Sequence, residues 1–278
     1  MMKMIYMMIL LISSCAMAQP KKMQEVIRPG EVRILEFPLS KSDAKLTCRD
    51  SRIKFSRQGD KGRAIIIASY FEVKPFTCSL SEGGKEAINF HFALEQKEYK
   101  SEILKVDMKK IKLSKKAQAR ADKEQLVLNK IYASSLNDFQ FSQPFIKPLE
   151  TYVTSLYGNR RIYNNHKKSQ HLGTDFRAAI GDKVPVANRG KVVFSGDLFY
   201  TGGTVIIDHG LDVFTVYGHL SKPTAISGSM VERGEVIGLS GNTGRTSGPH
   251  LHWGVKIQGQ YIDGFSLIEE TKKALPEK

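Results

Sequence analysis

The 278 residues are 41% hydrophobic and 25% charged, with a formal net charge of +14. That balance excludes a disordered tail and an integral membrane protein, and the length allows two domains that each bury a core. A basic surplus attracts polyanions, but no nucleic-acid-binding motif accompanies it, so carboxylate- and phosphate-bearing polymers, or plain solvent, are expected around it and nucleic acid is not.

The chain opens with Lys3, an apolar run from Met4 to Ile12 and the small-x-small string Ala16-Met17-Ala18. This order reads as a signal peptide over 1–18, and the run is shorter than the ~20 residues of a membrane span. Leu11-Ile12-Ser13-Ser14-Cys15 offers a second route, in which Cys15 is lipidated and anchors the chain. Either way the protein is expected to be exported to the periplasm or cell envelope of a bacterium.

Residues 19–108 hold short apolar or alternating runs, Val32 to Phe37, Arg63 to Tyr70, Ala87 to Leu94 and Glu102 to Val106, parted by Gly, Asp, Ser and Lys. Such spacing predicts a small β-sandwich-like domain. Cys48 and Cys78 form an even pair once the leader is removed, and in an oxidising compartment they are expected to bond. Closing a loop of that length contributes ~3–4 kcal/mol in the chain-entropy model.

Residues 109–150 read as a linker. The basic run Lys109 to Arg120 leads into a helix with Ser114 as N-cap and Ala117, Ala121, Leu128 and Ile131 as its apolar stripe. Asn137 to Glu150, with Pro144 and Pro148, is expected to be extended. Residues 151–270 are again β-rich: Val184 to Ser195, Thr204 to Asp208, Val213 to Tyr217, Glu235 to Ser240 and His250 to Ile257 are candidate strands between glycine turns. Arg160 to Gln170, Leu198 to Gly203 and Gly241 to Gly248 are candidate loops walling a groove. The fold class expected is mainly β, with stacked antiparallel sheets in the C-terminal part.

Chemistry concentrates in this last part. Four of the seven histidines and one aspartate fall into His171-Leu-Gly-Thr-Asp175, Tyr217-Gly-His219 and His250-Leu-His252-Trp253. Side chains two apart on a strand share a face, so His250 and His252 can address one metal while Leu251 and Trp253 turn to the core. Each string alone is close to chance; the set together is the equipment of a zinc hydrolase. His91, His166 and His209 are expected to be structural or surface residues.

The strings His171-Leu-Gly-Thr-Asp175-Phe, Val216-Tyr-Gly-His219-Leu-Ser and Gly241-Asn-Thr-Gly-Arg-Thr-Ser-Gly-Pro-His250-Leu-His252-Trp-Gly closely resemble the lysostaphin-type (LytM-domain) zinc metallopeptidases. The similarity runs from about Thr154 to Ile268 and includes Ser155-Leu-Tyr-Gly-Asn-Arg160. The resemblance implies that His171, Asp175 and His252 hold one Zn2+ per chain and that His219 and His250 are catalytic. Two imidazoles and a carboxylate leave a tetrahedral zinc one open position, and the net positive centre lowers the pKa of a water there. A histidine, with its ordinary pKa near 6.5, suits the proton transfers of hydrolysis at neutral pH.

The implied activity is a zinc endopeptidase acting on peptidoglycan stem peptides, with D,D cross-links favoured over glycyl-glycine bridges, working as a monomer. A competing reading is a cell-wall-binding module without catalysis that regulates wall amidases; relatives of that kind lack ligands at positions that are filled here. A third is an enzyme kept latent by the N-terminal domain or by an asparagine of the pair Asn164 and Asn165.

Overall fold

The computed structural model describes residues 21–104, 113–163 and 167–275. The leader at 1–18 with Cys15, most of the basic run before Ser114, and Asn164, Asn165 and His166 lie outside the described residues. No helix among the described residues is long and apolar enough to cross a membrane.

The N-terminal part contains β1 (Lys21–Ile27), β2 (Val32–Pro38), β3 (Lys45–Cys48), β4 (Ser51–Ile53), β5 (Ser56–Gln58), β6 (Lys61–Ile67), β7 (Phe76–Glu82), β8 (Lys85–Leu94) and β9 (Ser101–Leu104). One sheet has the order β1-β8-β7-β3-β4 and a second β2-β6-β5. Leu35, Phe37, Ala64 and Ile66 of the second sheet meet Leu46, Leu80 and Phe90 of the first in one buried cluster. Cys48 stands opposite Cys78 in the β3–β7 register, and the two are disulfide-bonded.

The run Ala64-Ile65-Ile66-Ile67 shows why this region does not alternate in polarity. With a side-chain period of two, Ala64 and Ile66 enter that cluster, whereas Ile65 and Ile67, with Val32, enter the core of the C-terminal part. The small sheet is therefore buried on both faces, and a strand buried on both faces reads as a continuous apolar run.

Helix α1 (Lys115–Tyr132) begins at Ser114, whose side chain accepts from the Ala117 N–H as expected of the N-cap. Ala121 of the expected stripe is buried, and Leu128 with Tyr132 packs on Ile206, Phe214 and Val216. Arg120 reaches Asp197 at 2.7 Å and Glu124 accepts from the Phe199 N–H at 2.7 Å. The helix is thus pinned to the wall beside the site.

The C-terminal part comprises β10 (Val153–Ser155), β11 (Arg160–Tyr163), β12 (Lys167–Gln170), β13 (Thr174–Arg177), β14 (Lys183–Pro185), β15 (Gly190–Leu198), β16 (Gly202–Asp208), β17 (Val213–Leu220), β18 (Lys222–Pro223), β19 (Met230–Val231), β20 (Val236–Leu239), β21 (His250–Ile257), β22 (Gln260–Ile262) and α2 (Gly264–Ala274). The main sheet runs β10-β13-β21-β17-β16-β15-β19, with β22 hairpinned to β21; β14-β20-β18 and β12-β11-β9 are smaller sheets.

Three expectations need correction. The single strand expected over Val184 to Ser195 is two strands in different sheets, broken where the Asn188 side chain bonds the Gln143 carbonyl and accepts from the Arg189 N–H. Arg160 to Gln170, expected as loop, includes the paired strands β11 and β12. Helix α2 was not anticipated, although Gly264, Leu267, Ile268 and Thr271 are buried at helical spacing and Leu275 packs beyond them. Its Ser266 and Glu270 side chains accept from the Val32 and Ile34 N–H groups, covering the edge of β2.

Candidate metal centre

Strand pairing assembles the site. In the β13–β21 register Asp175 stands opposite His252, and in the β17–β21 register Gly218 stands opposite His252 while Tyr217 stands opposite Trp253. Leu251 and Trp253 are buried in the core, so His250 and His252 lie on the other face, as the period-two reading requires.

By the same alternation His219 would share the inward face of Tyr217. A bulge prevents this. Between the pairs Val205↔Tyr217 and Gly203↔Leu220, β16 spends one residue and β17 spends two, Gly218 and His219, and His219 has φ +61°. An extra residue re-aims the side chain, and histidine tolerates left-handed backbone better than most residues. The His219 ring consequently lies 4.7 Å from that of His250 and 6.0 Å from that of His252, centroid to centroid.

Three donor atoms converge. His171 Nε2 is 2.9 Å from Asp175 Oδ1 and 3.3 Å from His252 Nδ1, and His252 Nδ1 is 2.8 Å from Asp175 Oδ1. A tetrahedral zinc with bonds of ~2.0–2.1 Å separates its donors by ~3.3 Å, so the set fits that ion after a small expansion. His171 is fixed by donating from Nδ1 to the Leu156 carbonyl at 2.9 Å, which leaves Nε2 for the metal.

Charge follows the same plan. Burial lowers the His171 pKa, against the pull of the Asp175 carboxylate. Burial pushes Asp175 up, but the close approach of the His171 and His252 rings more than offsets it and holds the carboxyl well below the usual range. A neutral imidazole beside an ionised carboxylate is what a divalent cation requires.

The other two rings share one tautomer. His219 Nδ1 donates to the Thr243 carbonyl at 2.7 Å, and His250 Nδ1 donates to the Gly248 carbonyl at 2.9 Å. Each neutral ring then has an unprotonated Nε2, assigned from these partners. Burial, reinforced by the neighbouring His252, lowers the His219 pKa to about 4.

The expected residues therefore meet in one place: His171, Asp175 and His252 as a donor cluster, with His219 and His250 beside it. Elsewhere, His209 is fully buried between the Arg189 carbonyl and Thr215, and His91 bonds Thr77, both apart from the cluster. Three further residues were not singled out from sequence. Gly173 is needed because a Cβ there would meet His252 Nε2 at 2.8 Å and the Trp253 carbonyl at 2.6 Å. Thr243 orients His219 through its carbonyl and takes the Gly203 N–H on its hydroxyl. Arg161 Nη2 donates to Asp175 Oδ2 at 2.9 Å. Only the demand of a buried carboxylate for a partner signals such a residue, and that demand does not say which arginine answers it.

Residues 169–264 match the model described as peptidase family M23. Over 127 residues the chain is 38% identical to the peptidoglycan DD-endopeptidase ShyA of Vibrio cholerae, covering 45% of this chain and 30% of that one. It is likewise 38% identical over 127 residues to the DD-carboxypeptidase/endopeptidase Mpg of Neisseria meningitidis, covering 45% and 29%. The chain thus spans about 30% of the length of these curated relatives. A solved structure described as a peptidase M23 of Pseudomonas aeruginosa superposes with a TM-score of 0.65 at 23% identity, over 87% of this chain and 95% of that one. The shared architecture therefore extends beyond the matched domain into the N-terminal sheets.

Proposed function

Because the chain carries a peptidase family M23 domain, we propose that it is an exported zinc endopeptidase that cuts the peptide part of peptidoglycan. The observation that carries this reading is the convergence of His171, Asp175 and His252 with two further histidines directly beside them. Relatives named DD-endopeptidases at 38% identity support D,D cross-links as the bond attacked. The basic surplus and the Cys48–Cys78 disulfide fit work outside the cytoplasm. Export by cleavage after Ala18, or anchoring at Cys15, belongs to the same reading.

His171 Nε2, His252 Nδ1 and Asp175 Oδ1 would hold the zinc. When bound, the ion supplies a Lewis acid for the scissile carbonyl and for the attacking water. His219 and His250 handle the proton. Both present Nε2 without a hydrogen, so the first proton released by the attacking water goes to one of them. That ring then becomes a donor, able to hydrogen-bond the developing oxyanion or to protonate the departing amine. The filled ligand set argues against a purely binding module.

Incubating sacculi with the zinc-loaded protein, with and without a chelator, tests the reading. Chelator-sensitive loss of cross-linked muropeptides is the expected result. An intact, zinc-loaded protein that leaves the cross-links untouched would favour the amidase-regulating module.

A further inference from the structure

The two oxygens of Asp175 have different neighbours. Oδ1 faces His171 Nε2 and His252 Nδ1, while Oδ2 accepts from Arg161 Nη2 at 2.9 Å. A carboxylate with both oxygens free can close on a metal through both and fill the position that a catalytic centre keeps open; with its second oxygen held elsewhere it offers one donor. Arg161 also sets a permanent positive charge against a carboxylate that is 6% exposed, and a buried charge needs such a partner.

What places Arg161 is a strand from the other end of the chain. Arg161 lies on β11, between β12 and β9. β9 comes from the N-terminal part and pairs with β11 in parallel, with Glu102 opposite Arg161. In a parallel ladder the residue opposite bonds the two neighbours of its partner, so the Glu102 backbone grips β11 on both sides of Arg161. The Arg160 N–H donating to the Lys100 carbonyl at 2.8 Å extends this clamp. Just before β9, Tyr99 donates to the Pro29 carbonyl, and its ring lies where a Cβ on Gly158 would have to go.

We propose that Arg161 is a positioning residue for the metal centre, fixing which oxygen of Asp175 is offered to zinc, and that the N-terminal part controls the centre through the β9–β11 pairing. The proposal rests on His171, Asp175 and His252 being the ligands.

The test is zinc affinity of the full chain, measured by competition with a chromophoric chelator, together with far-UV circular dichroism. Arg161→Gln should bind zinc about 10–100-fold more weakly, the usual effect of losing a partner of a ligating group. Arg161→Lys should recover most of that loss, and Arg160→Gln, on the same strand, should match the wild type. Glu102→Pro removes a backbone donor into β11 and should weaken binding in the same direction although Arg161 is intact. Ile103→Gly, at an exposed position of β9, is the milder second variant and should show a smaller loss of the same sign. Wild-type affinity in Arg161→Gln would overturn the positioning role. Wild-type affinity in both β9 variants would overturn control from the N-terminal part. A wild-type chain that takes up no zinc would instead remove the ligand assignment itself.

Discussion

At the scale of single residues, the five site groups divide by the atoms they present. His252 turns Nδ1 toward Asp175, whereas His219 anchors Nδ1 on the Thr243 carbonyl and leaves Nε2 for the acid/base role proposed above. His252→Ala should therefore lose both zinc and hydrolysis. His219→Ala should keep zinc and lower kcat by about 100–10,000-fold, the ordinary worth of a positioned acid/base group. Metal analysis alongside turnover on sacculi separates the two, and retained turnover in either variant would refute the division. Much of this was legible in the sequence: a period of two puts His250 and His252 on one face, and the resemblance divided ligands from catalytic groups, whereas the need for glycine at 173 shows only in the packed site. The aim of His219 was not legible, because it depends on a bulge that exists only once β17 is paired with β16.

At the scale of elements, the main sheet is held by a joint that the site does not use. His209 follows β16, donates from Nδ1 to the Arg189 carbonyl ahead of β15, and lies 2.8 Å from Thr215 Oγ1 of β17. Its ring also packs edge-on to Phe145 at 4.9 Å. Burial lowers its pKa to about 4 from an ordinary 6.5. Between those values the unfolded chain binds a proton that the folded chain refuses, so this contribution is complete above pH 6.5 and is lost as pH falls toward 4. The difference amounts to about 3 kcal/mol. Urea unfolding followed from pH 7 to pH 4 should show that slope in the wild type and a shallower one in His209→Gln; equal slopes would dismiss the joint as the cause. Sequence placed β2, β6, β8, β16, β17 and β21 near their observed positions, since alternation and glycine turns are local signals, but named no run at β1, β3 to β5, β7 or β10. It missed the division of 184–195, which is decided by what packs against it, and the short α2, although Asp263 caps that helix and its buried positions follow helical spacing.

Over the whole molecule, the N-terminal part is built into the C-terminal core. Val32, Ile65 and Ile67 belong to the same buried cluster as Val205, Val213, Tyr217 and Trp253, and Ile34 packs against it. Lys54 reaches Asp212 at 2.7 Å, and the Gln258 side chain donates to the Ile65 carbonyl at 2.7 Å across the same junction. Each buried aliphatic side chain of this kind contributes about 1.5–3 kcal/mol. A fragment beginning at Pro144 would bare the apolar face that these residues cover, lose the α1 contacts on Phe214, and lose β9. A cover that merely blocks the site would, on removal, leave a fragment that hydrolyses wall peptides faster. The packing calls for the opposite outcome: a lower Tm, a tendency to aggregate and slower hydrolysis than the full chain. Thermal melts and turnover of the two proteins at equal zinc loading decide between them. A fragment with the Tm of the full chain and an equal or higher rate would show that the shared core does not sustain the catalytic part.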